Sequence, residues 1–571
     1  MHFKISLLTT LLSYSVVIHA NQVVVEVIPD NKAVKDNIEA YIGSFEDQNI
    51  ATLLRLQSVI KEKATSASQA LGYYDTEVHT RISGRKSKNP TLKVKVLLGS
   101  PIRLKSIDIK ILGPATTLEA FKNVGHKELR KGAILNQGAY DATKSQIKSQ
   151  ALYYGFFWGE FTKHQLLINP EEHAADVNLT YKSGPRASLG KVTFNQQQNP
   201  FKDDLLYRFV NFNEGTPYNA DLIAQLNNSL QSSGYFETVR IDALPIDKEH
   251  TEIPVSANVT AAKSKVLSVG AGFSTDLGPR AQLDWERPWI NSSGHKLGFT
   301  TEVSQPRQSI SAWYQIPMEN PLTDNIRFIS GLQHEDIVDT ESTLYTLGVE
   351  RNKKLSNGWM RTIFLRWQDE TYDIDHENAT RMFLMPGFNF SYLKADNNID
   401  PSQGYRLQFG LSGAKQNVLS AADFIRYTGS AKGLYTFASR HRFFSRVEVG
   451  GIDSPNYSKI PPSLRFYAGG DQSVRGYNYQ TLSPKDKYGK RVGGRYMLAG
   501  SLEYQYQFAE KWRAATFIDK GNASNSWNMA FKTGVGVGIR WISPVGPIRV
   551  DLAHGVEDHS IRLHFSMGPE L

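Results

Sequence analysis

One arginine sits in an unusual setting. The stretch AGGDQSVRGYNYQ, residues 468–480, places Arg475 between Val474 and the pair Gly476-Tyr477, shortly after Gly469 and Gly470. A planar guanidinium can hold a carboxylate through two parallel hydrogen bonds, which a lysine cannot do. Glycines permit the tight turns and close backbone approach that such a contact needs. The chemistry on offer is therefore ion pairing, not bond making. Elsewhere EDHS, Glu557 to Ser560, sets Asp, His and Ser side by side, but neighbours in a strand or turn point in different directions and form no relay. His554 and His564 stand isolated in alternating stretches and read as surface or interior-wall residues, not metal ligands. The sequence has no G-x-S-x-G, H-E-x-x-H or Walker loop. No enzyme, cofactor or metal site is expected.

The elements around Arg475 alternate in polarity. KVLSVGAGF, residues 265–273, sets Leu267, Val269, Ala271 and Phe273 against Ser268, Gly270 and Gly272. SLEYQYQF, residues 501–508, sets Leu502, Tyr504, Tyr506 and Phe508 against Ser501, Glu503, Gln505 and Gln507. IRLHFSMG, residues 561–568, does the same with Ile561, Leu563, Phe565 and Met567 against Arg562, His564, Ser566 and Gly568. Such alternation suits a soluble sandwich or a membrane barrel with an apolar outside and a polar lumen. Aromatics at strand ends, Trp285, Trp289, Trp512 and Trp541, favour the barrel's interfacial girdle.

The N-terminus MHFKISLLTTLLSYSVVIHANQ has the basic start, apolar run and small residue of a secretory signal cleaved near Ala20. Beyond it no apolar run reaches the ~18 residues of a membrane helix, so spanning would require a closed barrel. With no cysteine, no disulfide can hold the exported chain together. The 65 basic and 56 acidic residues, net +9, are spread along the chain, which suits a solvated surface and lumen and not nucleic acid. The 307 residues from Lys265 to Leu571, at roughly 17 to 20 per strand and connection, allow an antiparallel transmembrane β-barrel of about 16 strands.

Ahead of the barrel the chain repeats. LGYYDTEV at 71–78, YGFFWGEF at 154–161 and SGYFETVR at 233–240 place Gly72, Gly155 and Gly234 at intervals of 83 and 79 residues, the size of a small domain. Each glycine follows a helical pattern, such as Leu222, Ile223, Leu226 and Leu230 behind a possible Asn219 cap. Each is followed by two strands, giving three α/β units of β-α-α-β-β type. The expected division is a signal over 1–20, repeats over 21–100, 101–184 and 185–263, and a barrel over 264–571.

Three such repeats before a barrel bearing GGDQSVRGY resemble the POTRA-plus-barrel superfamily of BamA/TamA-like outer-membrane assembly and secretion proteins, across essentially the whole exported chain. The repeat count is similar to that of the TamA branch; secretion relatives usually carry two such domains and the central assembly factor five. The resemblance implies that Val474, Arg475, Gly476 and Tyr477 lie at the tip of a loop folded into the barrel, with the arginine against acidic residues of the inner wall. The family's F-x-D-x-G strand matches Phe517, Asp519 and Gly521, which makes Asp519 the implied partner, and a GG…S-x-E element matches Gly493, Gly494, Ser501 and Glu503. Alternation independently places Glu503 on a polar side and Asp519 opposite Ala514, Thr516 and Ile518.

The resemblance further implies an outer-membrane barrel with periplasmic POTRA domains that inserts or translocates proteins such as autotransporters. Its implied partners are an inner-membrane-anchored TamB-like protein, unfolded outer-membrane clients and membrane lipids, with no nucleic acid. A two-partner secretion transporter and the terminus of a lipid-transport bridge are the alternatives; a passive pore would leave the repeats without a role. The expected weak point is a lateral seam between Leu267, Val269, Gly270, Ala271 and Phe273 of the first strand and Ile561, Leu563, Phe565, Ser566 and Met567 of the last, because glycines weaken a strand interior. A Gly270 to Ser566 crosslink is the natural test of such a seam.

Overall fold

The computed structural model describes residues 22–571 apart from 46–47, 86–89, 126, 128, 338, 375–376, 545 and 569. The expected signal peptide lies outside the described residues. Two compact units emerge, one from the chain up to Lys191 with Phe212–Ala224 and Ala243–Val255, the other from Val192–Asn211, Gln225–Asp242 and Ser256–Leu571.

The first repeat contains β1 (Val23–Ile28), α1 (Lys32–Ile42), α2 (Ile50–Ala70), β2 (Glu77–Ser83) and β3 (Thr91–Leu97), with sheet order β1-β3-β2. The second contains β4 (Arg103–Leu112), α3 (Gln137–Tyr153), β5 (Glu160–Asn169) and β6 (Ala174–Lys182), in the order β4-β6-β5. Its first helix is reduced to two short 3-10 turns, Pro114–Thr117 and Glu119–Phe121. The third contains β7 (Ser188–Gln196), α4 (Asp203–Tyr207), β8 (Thr216–Pro217), α5 (Ala220–Ser232), β9 (Phe236–Asp242) and β10 (Glu252–Ala261), in the order β8-β7-β10-β9.

Local chemistry explains the helices. Asn31, Asn49 and Asn136 accept the backbone N–H of Val34, Thr52 and Ala139, and Asn219 accepts that of Asp221, so each longer helix starts from an asparagine cap. At the other end Gly72, Gly155 and Gly234 take φ of +91°, +85° and +75°, the left-handed turn a side chain resists. The aromatic that follows, Tyr73, Phe156 or Tyr235, is buried in each case and ties helix to sheet. The α3 helix begins at Gln137 because Asn136 caps it there.

From β11 (Val266–Ser274) to β26 (Ser560–Met567), sixteen antiparallel strands form one sheet in sequence order. Alternation is cleanest in β23 (Trp512–Ser524), where Arg513, Ala515, Phe517 and Asp519 are buried while the residues between them face outward. Outward Leu502, Ile518, Val537 and Leu552 are exposed apolar groups on successive strands, the band that hydrocarbon would cover. Trp512 and Trp541 stack with ring centroids 6.2 Å apart. Trp289 departs from the girdle reading: its ring lies 5.4 Å from Phe201 and its indole N–H donates to Ala262 O at 3.0 Å. It packs on the third repeat because it follows the strand end instead of facing out from it.

The sheet is nearly closed. Between β11 and β26, Thr275 N–H donates to Phe565 O at 3.2 Å, Phe565 N–H donates to Thr275 Oγ1 at 3.1 Å, and the Phe273 and Phe565 rings lie 5.5 Å apart. Continued along an antiparallel register, that pair sets Ser566 against Ser274, not against Gly270. The chain beyond β26 turns into the lumen instead: Glu570 is 3% exposed, accepts from Gln505 Nε2 at 2.7 Å and pairs with Arg442 Nη2 at 3.0 Å.

A Cβ added to Gly72 would fall 2.6 Å from the Leu135 carbonyl oxygen. Gly72→Ala is therefore expected to destabilise the junction by about 1 to 3 kcal/mol, read as faster hydrogen exchange at the end of α2 and around Leu135 in the full chain.

Candidate functional site

The connection from β21 (His441–Asp453) to β22 (Tyr496–Ala509) runs through residues 454–495. Its segment around Arg475 lies inside the barrel. Val474 is fully buried and Tyr477 nearly so, packed with Ala468, Leu482 and Ala499 of β22. Gly469 and Gly470 make the turn into this segment with φ of +101° and +103°. Gly476 has φ +93°, and a Cβ there would fall 2.7 Å from Gly555 N, so backbone touches backbone at the wall.

Arg475 meets β23 first. Its N–H, Nε and Nη2 donate to Asp519 at 3.0, 2.7 and 2.9 Å. Its Nη1 donates to Glu503 Oε2 at 2.7 Å on β22 and to Asp551 Oδ2 at 3.1 Å on β25 (Gly546–Gly555). Ser501 accepts from Nη2 at 3.2 Å and donates to Asp519 at 2.6 Å. The guanidinium carbon lies 3.3 Å from the Phe517 ring centroid, a close cation–π contact. Burial alone would lower the Arg475 guanidinium's affinity for its proton; Asp519, Glu503 and Asp551 more than offset this and hold its pKa above the ordinary value. Gly521 faces Ala499 across the strand pair, and Gly494 bridges to Phe466 at the loop's return.

Two members of this network carry no signal in the loop or strand motifs. Arg540 on β24 (Lys532–Ser543) is fully buried and donates to Glu503 Oε1 at 2.9 Å and to Asp551 Oδ1 at 2.5 Å. With Asp551 it makes a lattice of two arginines and three carboxylates. Polar-side alternation was the one available sign of either residue. The loop is also pinned at its flanks: Tyr477 OH donates to Glu557 Oε2 at 2.5 Å, Ser560 Oγ to Gly476 O at 3.0 Å, and Arg446 Nη2 to Ser473 O at 2.6 Å. His564, isolated in the sequence, is buried on β26 and accepts the Gly476 N–H through Nε2 at 2.9 Å.

The first-strand positions Leu267, Val269 and Phe273 and the last-strand positions Ile561 and Leu563 are exposed and apolar. Gly270 and Ala271 lie lower on β11, away from the Thr275–Phe565 contact, whereas Ser566 and Met567 follow it on β26.

Arginine anchored to several carboxylates in a dry wall has one main task, to hold the loop in one place. Removing one member of a buried ion set leaves uncompensated charge and costs about 3 to 5 kcal/mol. Arg475→Ala and Asp519→Ala should each lower the temperature at which the folded barrel loses its compact gel mobility, and Arg475→Lys should not restore it. The double variant should cost little more than either single one; strict additivity would rule out direct coupling.

Residues 263–570 match the Omp85 superfamily domain, residues 24–98 match the POTRA domain described as TamA domain 1, and residues 187–262 match a POTRA domain described as a surface antigen variable number repeat. The outer membrane protein assembly factor BamA of Nitratidesulfovibrio vulgaris is 25% identical over 445 residues, covering 73% of this chain and 55% of that relative. BamA of Neisseria meningitidis serogroup B is 21% identical over 595 residues, covering 89% of this chain and 72% of the relative. The chain thus spans little more than half the length of the first of these. The crystal structure of Haemophilus ducreyi BamA lacking POTRA domains 1-3 superposes with a TM-score of 0.67 at 14% identity, over 82% of this chain and 99% of that one, and so shares the fold. With the family domain covering the entire barrel and more than half of the sequence, the chain belongs to the Omp85 superfamily.

Proposed function

We propose that this chain is an outer-membrane assembly factor of TamA type, which helps insert and translocate β-barrel proteins such as autotransporters. The barrel sits in the outer membrane and the POTRA repeats in the periplasm. The observation that carries the reading is the seam. Below Thr275 the outer edge of β11 is hydrogen-bonded to no strand among the described residues, while the tail that would pair with it is tied to Arg442 and Gln505 inside the lumen. A free strand edge accepts an extended chain through backbone hydrogen bonds, and folding of the client itself supplies the driving force.

The repeats present edges as well. In each sheet the strand after the helix lies at an end: β2, β5 and β9. These edges suit capture of unfolded clients or of an inner-membrane-anchored TamB-like partner, and the match of residues 24–98 to the first TamA POTRA domain supports that branch. Membrane lipids are the further partner, met by the apolar outer band.

The register at Thr275–Phe565 selects the crosslink that tests the seam. The protein has no native cysteine, so Ser274→Cys with Ser566→Cys gives a single defined bridge. Oxidation should reduce client insertion into vesicles severalfold and reductant should restore it. Undiminished insertion by the bridged protein would overturn the reading, and loss of a secreted protein instead of an inserted one would assign the chain to two-partner secretion.

A further inference from the structure

The loop that carries Arg475 is fastened to both sides of the seam. On the side of β26, His564 Nε2 accepts the Gly476 N–H, and its Nδ1 lies 2.5 Å from Asp471 Oδ1. On the side of β11, in the turn that follows it, Asp276 Oδ2 accepts the Asp471 N–H at 2.9 Å and the Thr275 hydroxyl donates to Asp471 at 2.8 Å. Asp471 thus bridges the first hairpin to the last strand, with its side chain 4% exposed and that of His564 6%.

Hydrogen-bond directions place the protons. A backbone N–H only donates, so His564 Nε2 holds a lone pair and Nδ1 carries the ring proton, which it gives to Asp471. With its second nitrogen accepting, the imidazole is neutral. Two ionised carboxylates would then stand side by side with no cation in the cluster. The titratable groups bearing on Asp276 are Asp471 and His564; Arg280, the first basic residue after the turn, is directed at Glu302, 3.9 Å away. Burial, followed by the Asp471 charge, raises the Asp276 carboxyl to about 7. The three side chains have donor atoms within 4.8 Å of one another, close enough for a metal ion. A metal on Nδ1, however, would send the ring proton to Nε2, where it would face the Gly476 N–H.

We propose that Asp276, Asp471 and His564 form a proton-dependent latch across the seam, closed while the two carboxyls share one proton and released when it leaves. The latch deepens the seam reading above, but its opening is measured without any client, so the two fail separately. A carboxyl raised in the closed state favours closure fully below the ordinary carboxylate range, and this preference is lost as pH rises through about 7.

The test uses the full chain in lipid nanodiscs with spin labels on Val269→Cys and Leu563→Cys and distances recorded by double electron–electron resonance from pH 6 to 9. The ratio of separated to closed seam should rise about fivefold between pH 6 and 7, reach about tenfold by pH 8 and then level off. Asp276→Asn keeps an acceptor for the Asp471 N–H but cannot ionise, and should stay closed throughout. A flat wild-type profile, or an unchanged profile in Asp276→Asn, overturns the latch. Heat-modifiable gel mobility reports folding; should Asp276→Asn not fold, Asp276→Ala is expected to be equally insensitive to pH. Micromolar zinc chloride at pH 8 should leave the seam distance unchanged, and closure by zinc that Asp276→Asn abolishes would make the cluster a metal site and overturn the proton reading.

Discussion

A guanidinium sealed from water must be answered by carboxylates, and the second half of this barrel is organised by that requirement. Arg475 comes from a loop, whereas its acceptors come from β22, β23 and β25, with Arg540 of β24 filling the charge between them. Ser501 and Asp519 are direct cross-strand partners, so the strand register itself delivers the acceptor pair to the arginine. Buried ion sets contribute little net stability over apolar packing, but breaking one by moving a member away leaves a buried charge unanswered. In this barrel the arrangement selected is a loop held against four adjacent strands.

Much of the architecture is legible in the sequence because it follows from short-range rules. Period-two alternation with length separates sixteen strands from the repeats, and Gly72, Gly155 and Gly234 mark the helix ends because only glycine takes the left-handed turn at low cost. The asparagine caps were equally local, though Asn31, Asn49 and Asn136 lie outside the periodic runs that draw attention. The 3-10 turns after Gly113 were not legible: packing of Ala115 and Phe121 on Ile147 and Phe156 fixes that segment, and such packing has no signature in sequence spacing. Trp289 misleads for a related reason. An aromatic at a strand end suits a membrane interface or a neighbouring domain, and composition does not distinguish them.

The site divides in the same way. Val474 to Tyr477, Asp519 and Glu503 carry motif signals, and alternation assigns the acids to the inner wall. Depth and register are not local properties, however. Arg540, Asp551 and His564 are ordinary polar-side residues until the sheet curves and brings strands separated by tens of residues against one loop. The same limit applies to Gly270 and Ser566: the offset at the seam depends on where the chain after β26 turns inward, which the alternating pattern does not encode.

The strands also differ in height around the wall. At a rise of about 3.3 Å per residue and a tilt near 40°, the 8 residues of β26 and 9 of β11 cover only about 20 to 23 Å along the membrane normal. The 15 residues of β17 (Met360–Ile374) and 19 of β18 (Glu377–Ala395) cover about 38 to 48 Å on the same basis. A hydrocarbon core of about 30 Å is therefore fully spanned on one side of the barrel and undermatched beside the seam. Lipid next to β11 and β26 must compress or tilt to meet the protein, and such mismatch costs fractions of a kcal/mol per ångström. Bilayer thickness thus acts as a mechanical load on the seam, heavier in thick membranes than in thin ones.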